Sequence, residues 1–365
     1  METYRAALVV EHSKPMEYVE YTLRDPGPRE VLVRVEYAAV CITDAYAWRG
    51  GTTRSVPPFV TGHAATGIVL EAGAGVTQVA VGDRVSITGT TECGECHFCL
   101  SGSAGACAEV FEQGIRVVGQ TTDGRDIKLE GGIGAYLTHN IYREGTVVKL
   151  SPDTDPVQAA LFGCGISSGL GAVLSVAEVT PASIVSISGA GHLGLWMLQG
   201  AKLAGASQII VVEPIAYRRE LARQLGATHV IDPADGDPVT QVRALTDRGR
   251  GADFAFEAVG TTSAMEEAYG IVRNGGIMVP TGMQSRTDEV RLNVVDFSIR
   301  AKQIRSSQTG GGWIHRDIPK WERFLHEGRI DPAPIISGVY PVEQLNDVFR
   351  QAIDREVVTA VMDLR

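Results

Sequence analysis

Residues 183–206 read SIVSISGAGHLGLWMLQGAKLAGA, and the fold follows from their order. A short apolar run of β-type residues leads into Gly189-x-Gly191-x-x-Gly194. Leu193, Met197, Ala201 and Ala204 then recur at helical spacing until Gly205 stops the pattern. In a strand-turn-helix unit of this kind the first glycine permits the tight turn, the second lets the backbone approach a pyrophosphate, and the third packs the helix on the strand. The phosphates then lie at the helix N-terminus, where free N–H groups and the helix dipole favour anions. His192 opens this helix, either as a residue beside the cofactor or as a plain helix-start residue, and Leu193 follows it. The next strand, QIIVV, ends at Glu213, nineteen positions past Gly194. A carboxylate there can hold the adenosine ribose hydroxyls and repels a 2′-phosphate, so NAD(H) is expected over NADP(H). Arg218 and Arg219 lie just behind and moderate that preference, although they also fit a solvated helix face.

Downstream, strand and helix patterns keep alternating. HVID, a polar helix near Val239–Thr246, ADFAFEAVG, a helix over Thr262–Val272, GGIMVPTG and a sixth strand near Lys302–Ser307 complete a doubly wound parallel sheet of α/β type. Upstream the pattern is different. Alternating β-rich runs at Tyr4–Val10 and Glu30–Val40, with the turn Asp25-Pro26-Gly27-Pro28 between them, precede GIVLEAG and VGDRVSI. A mostly β first domain is expected.

Within that region, residues 91–110, TECGECHFCLSGSAGACAEV, place Cys93, Cys96, Cys99 and Cys107 in fifteen positions. The alternative is a chance cluster of buried or disulfide-paired cysteines. Sulfurs two residues apart turn back onto one ion, and a fourth from across a short loop closes the tetrahedron of a structural zinc site. His97 is read as exposed because the four-sulfur set is already complete. The chain has only six cysteines, which leaves Cys41 in CITD and Cys164 in GCG. Taken singly, a buried Cys is usually a small hydrophobe and a lone His a satisfied structural residue, but with His63 the two cysteines make up the Cys2His set that can hold a catalytic zinc with its fourth position open.

Composition bounds the partners. The 365 residues are 44% hydrophobic and 21% charged, with a formal charge of -10 and a pI near 5.4. That balance disfavours nucleic acid and anionic membranes, since both need a basic face. The opening METYRAALVVEHSKP lacks the features of a secretory signal, and no apolar run is expected to be long enough to cross a bilayer. A cytoplasmic protein selecting a small molecule is expected, and six cysteines suit a reducing compartment if they bind metal.

GHAATG around His63, the four-cysteine lobe, GCG around Cys164 and the glycine fingerprint occur in an order and spacing that resemble the zinc-dependent medium-chain alcohol dehydrogenases over essentially the whole chain. The resemblance implies a GroES-like, mostly β catalytic domain over residues 1–165 and 301–365, with a structural zinc lobe. It implies a Rossmann domain over 166–300, two zinc ions per chain, NAD(H), and a homodimer or homotetramer. The return of the chain to the first domain comes from the resemblance alone. The implied reaction passes a hydride between an alcohol, or the matching aldehyde or ketone, and NAD(H).

By the same resemblance, Thr43 matches the hydroxyl that takes the alcohol proton, and Asp44 matches the carboxylate that orients the ligand imidazole. Both also fit ordinary turn chemistry after a strand. The chain departs from the family at Tyr46, where many relatives carry a relay histidine, and at Ala64, where glutamate is common. It also departs at Ile42 and Val358, where phosphate-binding arginines are found. Tyr46 and Trp48 are read as cleft residues or as core aromatics. The altered relay keeps two other enzyme chemistries open, conjugate reduction of an enal and non-redox elimination, beside a dinucleotide-binding protein without catalysis.

Overall fold

The computed structural model describes residues 2–51, 56–112, 115–283 and 287–365. The chain divides into two compact units, Met1–Cys164 with Gly312–Arg365, and Gly165–Gly311.

The second unit contains a six-stranded sheet in the order His229–Ile231, Gln208–Val212, Ile184–Ser188, Ala252–Glu257, Val272–Pro280, Gln303–Ile304. Every pairing is parallel. Numbered along the chain this is the 3-2-1-4-5-6 order of a dinucleotide-binding sheet, and strand order reverses between Ile184–Ser188 and Ala252–Glu257. Because such a sheet is covered on both faces, its first strand is buried at all five positions. The fingerprint helix His192–Leu203 is likewise enclosed beyond its first turn, from Gly194 through Ala201. Trp196, Met197 and Leu198 are each 0% exposed, and burying a side chain of that size is worth about 1.5–3 kcal/mol.

A division at residue 301 falls too early. Gln303 and Ile304 pair with Ile277 and Met278 as the sixth strand. Gly310 also packs so closely under the helix Ser167–Gly171 that a Cβ on it would lie 2.1 Å from the Ser167 carbonyl oxygen. Those contacts hold the segment in the second unit as far as Gly311.

The first unit carries a four-stranded antiparallel sheet, Tyr4–Leu8, Glu17–Leu23, Arg116–Thr121 and Asp126–Leu129. A seven-stranded sheet runs Ile336–Pro341, Thr359–Asp363, Glu30–Ala39, Ala65–Ala72, Arg84–Ile87, Val147–Lys149, with His139–Arg143 also paired to Glu30–Ala39. The returning C-terminus thus adds a strand to the central one, Val361 opposite Ala39 and Asp363 opposite Tyr37. Val31, Val33, Val35, Tyr136, Phe349 and Met362 share one core beneath these sheets. Glu30 ties the two sheets together: its carboxylate accepts from Arg24 at 2.6 and 2.8 Å and from Arg116 at 2.8 Å.

The helical run Pro156–Val176 is long and apolar enough to cross a membrane by length and composition, contrary to the expectation that no such run exists. However, 78% of its window is buried inside the structure, as in the core helix of a globular fold.

Candidate metal centres and dinucleotide site

Cys41 ends the approach to the helix Ile42–Arg49 and occupies its N-cap position, so Thr43 and Asp44 fall in the first turn. Asp44 is the third helical residue, and its Oδ2 accepts the Cys41 N–H at 3.2 Å, closing the turn. Its other oxygen accepts from His63 Nδ1 at 2.7 Å. That bond fixes the ring so that Nε2 points to the cysteines, 3.2 Å from Cys164 Sγ. Burial works against a charged imidazole, but Asp44 overcomes it and holds the His63 pKa well above the usual histidine range.

The donor atoms of Cys41, His63 and Cys164 all lie within 4.8 Å of one another. Two sulfurs and one imidazole nitrogen at that spacing fit zinc, whose bonds to them are about 2.3 and 2.0–2.1 Å. Three protein donors leave a tetrahedral position for substrate. Close backbone approach makes the cluster possible. Gly62 has φ +99°, and a Cβ there would lie 2.8 Å from Ala135 Cβ and 2.9 Å from Tyr136 Cε2.

Tyr136 was invisible to motif reading. It is 0% exposed, and its hydroxyl donates to Asp44 Oδ2 at 2.9 Å, so the carboxylate behind His63 is held from two sides. Burial, and then the Asp44 charge, push the Tyr136 pKa well above the usual phenol range, which keeps that proton in place. Partners of metal-bound histidines commonly tune affinity by 10–100-fold. Tyr136→Phe should therefore weaken zinc retention at this site by about tenfold, read by chelator competition, with the melting curve little changed.

Thr43 Oγ1 lies 3.5 Å from Cys41 Sγ, on the ligand side of the first turn. Tyr46 is outside the Asp44–His63 network and 37% exposed. Trp48 is a core residue: it is 6% exposed, Nε1 donates to the Lys14 carbonyl at 2.7 Å, and its ring meets Phe349. At the other departures from the family, Ala64 is 1% exposed, Ile42 packs against the β core, and the Val358 N–H donates to Ser337 Oγ.

The sulfurs of Cys93, Cys96, Cys99 and Cys107 form a second cluster within 4.8 Å. Cys93 and Cys99 Sγ are 3.9 Å apart, close to the edge of a tetrahedron with bonds of about 2.3 Å. Backbone N–H groups point at the sulfurs, from Cys96 to Cys93 at 3.4 Å and from Cys99 to Cys96 at 3.5 Å. N–H groups of Ala108 and Cys99 pull the Cys96 thiol down to about 6, whereas burial pushes the Cys99 and Cys107 thiols up. His97 is exposed.

In the second unit, Gly189 has φ +95°, and a Cβ on Gly194 would lie 1.8 Å from the Gly189 carbonyl oxygen. The turn and the helix start therefore touch backbone to backbone. His192 begins the helix after Gly191 and packs on the residue that follows Cys164: a Cβ on Gly165 would lie 2.0 Å from His192 Nε2. Leu193 is half-buried beside it.

Glu213 stands just past the second strand but is only 3% exposed. Its oxygens accept the Ala190 N–H at 2.7 Å and the Ile215 N–H at 2.9 Å, so it braces the fingerprint turn. The two arginines part company. Arg219 bonds the Glu213 and Pro214 carbonyls and pairs with Asp232 at 2.8 Å. Arg218 reaches toward the fingerprint, where a Cβ on Gly191 would lie 3.7 Å from its guanidinium.

The zinc-binding dehydrogenase family matches residues 193–327, and the alcohol dehydrogenase GroES-like domain matches residues 27–152. An S-(hydroxymethyl)glutathione dehydrogenase of Escherichia coli is 32% identical over 352 residues, covering 94% of this chain and 95% of its own length. A Synechocystis protein of the same name is 31% identical over 365 residues, with 98% and 99% coverage. Among solved structures, a benzyl alcohol dehydrogenase from Acinetobacter calcoaceticus superposes with a TM-score of 0.92 at 28% identity over the full length of both chains. With both domain types matched in order and relatives covering nearly the whole chain, the chain belongs to the zinc-dependent medium-chain alcohol dehydrogenase family.

Proposed function

We propose that this enzyme, a zinc-dependent alcohol and aldehyde oxidoreductase by family, works through Cys41, His63 and Cys164 as the ligands of its catalytic zinc and uses NAD(H) as the hydride carrier. The convergence of those three donor atoms, with Asp44 bonded behind His63, carries the reading. When bound, zinc supplies Lewis acidity toward the substrate oxygen, and the nicotinamide exchanges the hydride. Asp44 and Tyr136 hold the imidazole in one orientation and tautomer. The Thr43 hydroxyl, 3.5 Å from Cys41 Sγ, passes the substrate proton onward and is not the final base. Tyr46, being exposed, has contact with water and completes such a relay to solvent.

The dinucleotide is assigned to Gly189, Gly191, His192, Leu193 and Gly194, with Glu213 bracing the turn and Arg218 beside Gly191. Glu213 favours NAD(H), and its burial makes that preference depend on the turn it supports as much as on direct contact. Cys93, Cys96, Cys99 and Cys107 hold the structural zinc.

The relatives' names point to aromatic alcohols and to thiol adducts of formaldehyde as substrate classes. A panel of benzyl alcohol, simple alcohols and aldehydes, formaldehyde with glutathione, and α,β-unsaturated aldehydes, run with NAD(H) and NADP(H) and with product identification, tests the reading. Carbonyl–alcohol interconversion faster with NAD(H) is expected. Exclusive reduction of the carbon–carbon double bond would refute it. A homo-oligomer is proposed, supported by the apolar segment around the helix Val294–Ser298. Val294 is 75% and Ile299 77% exposed there, beside the short edge strand Gln303–Ile304. A cytoplasmic location is proposed separately, on six cysteines grouped as metal ligands instead of disulfides.

A further inference from the structure

The strand Ala252–Glu257 ends on a carboxylate that the reaction described above does not use. Glu257 is 0% exposed. Its Oε1 accepts the N–H groups of Val259 at 2.7 Å and Gly260 at 2.6 Å. Oε2 is buried without a hydrogen-bond partner, and among the described residues no cation forms an ion pair with it. The Glu257 carbonyl receives the Thr281 N–H at 2.9 Å, the Thr281 hydroxyl at 2.6 Å and the Gly282 N–H at 3.2 Å. A Cβ on Gly282 would lie 2.9 Å from Oε2. One residue therefore stands between the loops that follow the fourth and fifth strands of the parallel sheet.

Its place in the sheet gives it a ligand to act on. Glu257 pairs with Ser188, the last residue of the strand that feeds the fingerprint. A Cβ on Gly189 would lie 3.0 Å from Val259 Cγ2. Strand order reverses here, and dinucleotides bind across the crevice at the carboxyl ends of such strands, one nucleotide to each half of the sheet. Glu213 belongs to the half that takes adenosine. The half that begins with Ala252–Glu257 takes the nicotinamide nucleotide.

We propose that Glu257 biases the enzyme toward oxidised cofactor, by keeping a buried negative charge at the nicotinamide half of the crevice, where NAD+ carries a cationic ring and NADH a neutral one. This rests on the NAD(H) reading of the fingerprint. Water is excluded around the carboxylate, so its field is weakly screened. At an effective dielectric constant of about 20, unit charges about 10 Å apart interact strongly enough to shift a binding ratio about tenfold. Burial raises the carboxyl pKa on balance, and the N–H groups of Gly260 and Val259 on Oε1 oppose it, favouring the ionised form. A carboxylate that only pinned the two loops would act on both redox forms of the cofactor alike.

The test is equilibrium binding of NAD+ and NADH near pH 8 to the full-length, zinc-loaded protein and to Glu257→Gln. NADH is followed by fluorescence and NAD+ by calorimetry. The Kd for NAD+ should rise about tenfold while that for NADH changes by less than about twofold. Equal weakening of both forms, or no change in either, overturns the proposal. Glu257→Asp keeps the charge and should preserve the native NAD+/NADH ratio even where it weakens both. A ratio shifted as in the glutamine variant overturns the electrostatic account, and this holds if the glutamine variant fails to fold. NADH binding to the unaltered protein checks the fingerprint reading separately; its absence would remove that reading, and with it the proposal.

Discussion

Cys164→Ser is expected to reduce the metal content from about two zinc ions per chain to about one and to lower kcat/KM for any alcohol substrate by about 10³-fold or more. The substitution removes one of only three donors at the site, and a neutral hydroxyl does not replace a thiolate as a zinc ligand at neutral pH. The fold should survive, because the other cluster lies in a separate segment and Ser occupies no more space than Cys in the tight sequence Gly163-Cys164-Gly165. Cys99→Ser separates the roles. It should remove the other zinc and loosen residues 93–107, leaving the Cys41, His63 and Cys164 cluster intact at low temperature. Metal analysis beside initial rates decides the matter. A Cys164→Ser protein that keeps two tightly held zinc ions and native turnover would refute the assignment.

Gly194→Ala should be nearly as damaging, through a different group. Its Cβ would sit 1.8 Å from the Gly189 carbonyl oxygen, and neither partner is a flexible side chain. The fingerprint turn has to move, and displacements near 1 Å in a positioned site cost about 10²-fold. Fluorescence titration should show NADH affinity falling by about that factor, with zinc content unchanged at about two per chain. Gly191→Ala is the informative companion. Its Cβ meets only the Arg218 guanidinium, at 3.7 Å, so the protein itself accommodates it. Any loss of affinity there reports on the approach of the ligand to the backbone. Native NADH affinity in Gly194→Ala would count against a pyrophosphate at this turn.

The parallel sheet was legible because its signal is local: a β-type run, three glycines at fixed spacing and a helical apolar face all lie between Ile184 and Gly205. The four-sulfur lobe was legible for the same reason. Cys41, His63 and Cys164 needed elimination among six cysteines, since nothing local links residues so far apart. Tyr136 escaped because its value lies in the position of its hydroxyl, 92 residues along the chain from Asp44, and YLTH has no motif around it. The strand Glu17–Leu23 also escaped: its burial is half-hearted, with one fully buried position, so its apolar alternation is weak. At the C-terminal boundary the sixth strand was legible near Lys302–Ser307, but the return of the chain at residue 301 rested on the resemblance alone and falls before that strand.

The two metal clusters differ in how their donors are spread along the chain. Four sulfurs fall within fifteen consecutive residues, whereas His63 and Cys164 are 101 residues apart. Closing a short loop on an ion costs less chain entropy than closing a long one. During synthesis the compact set is complete as soon as Cys107 has emerged, while the dispersed set waits for Cys164 and for the strands that gather it. The lobe is therefore complete as a ligand set before the chain is finished, whereas the reactive centre is assembled only by the folding of the strands around it.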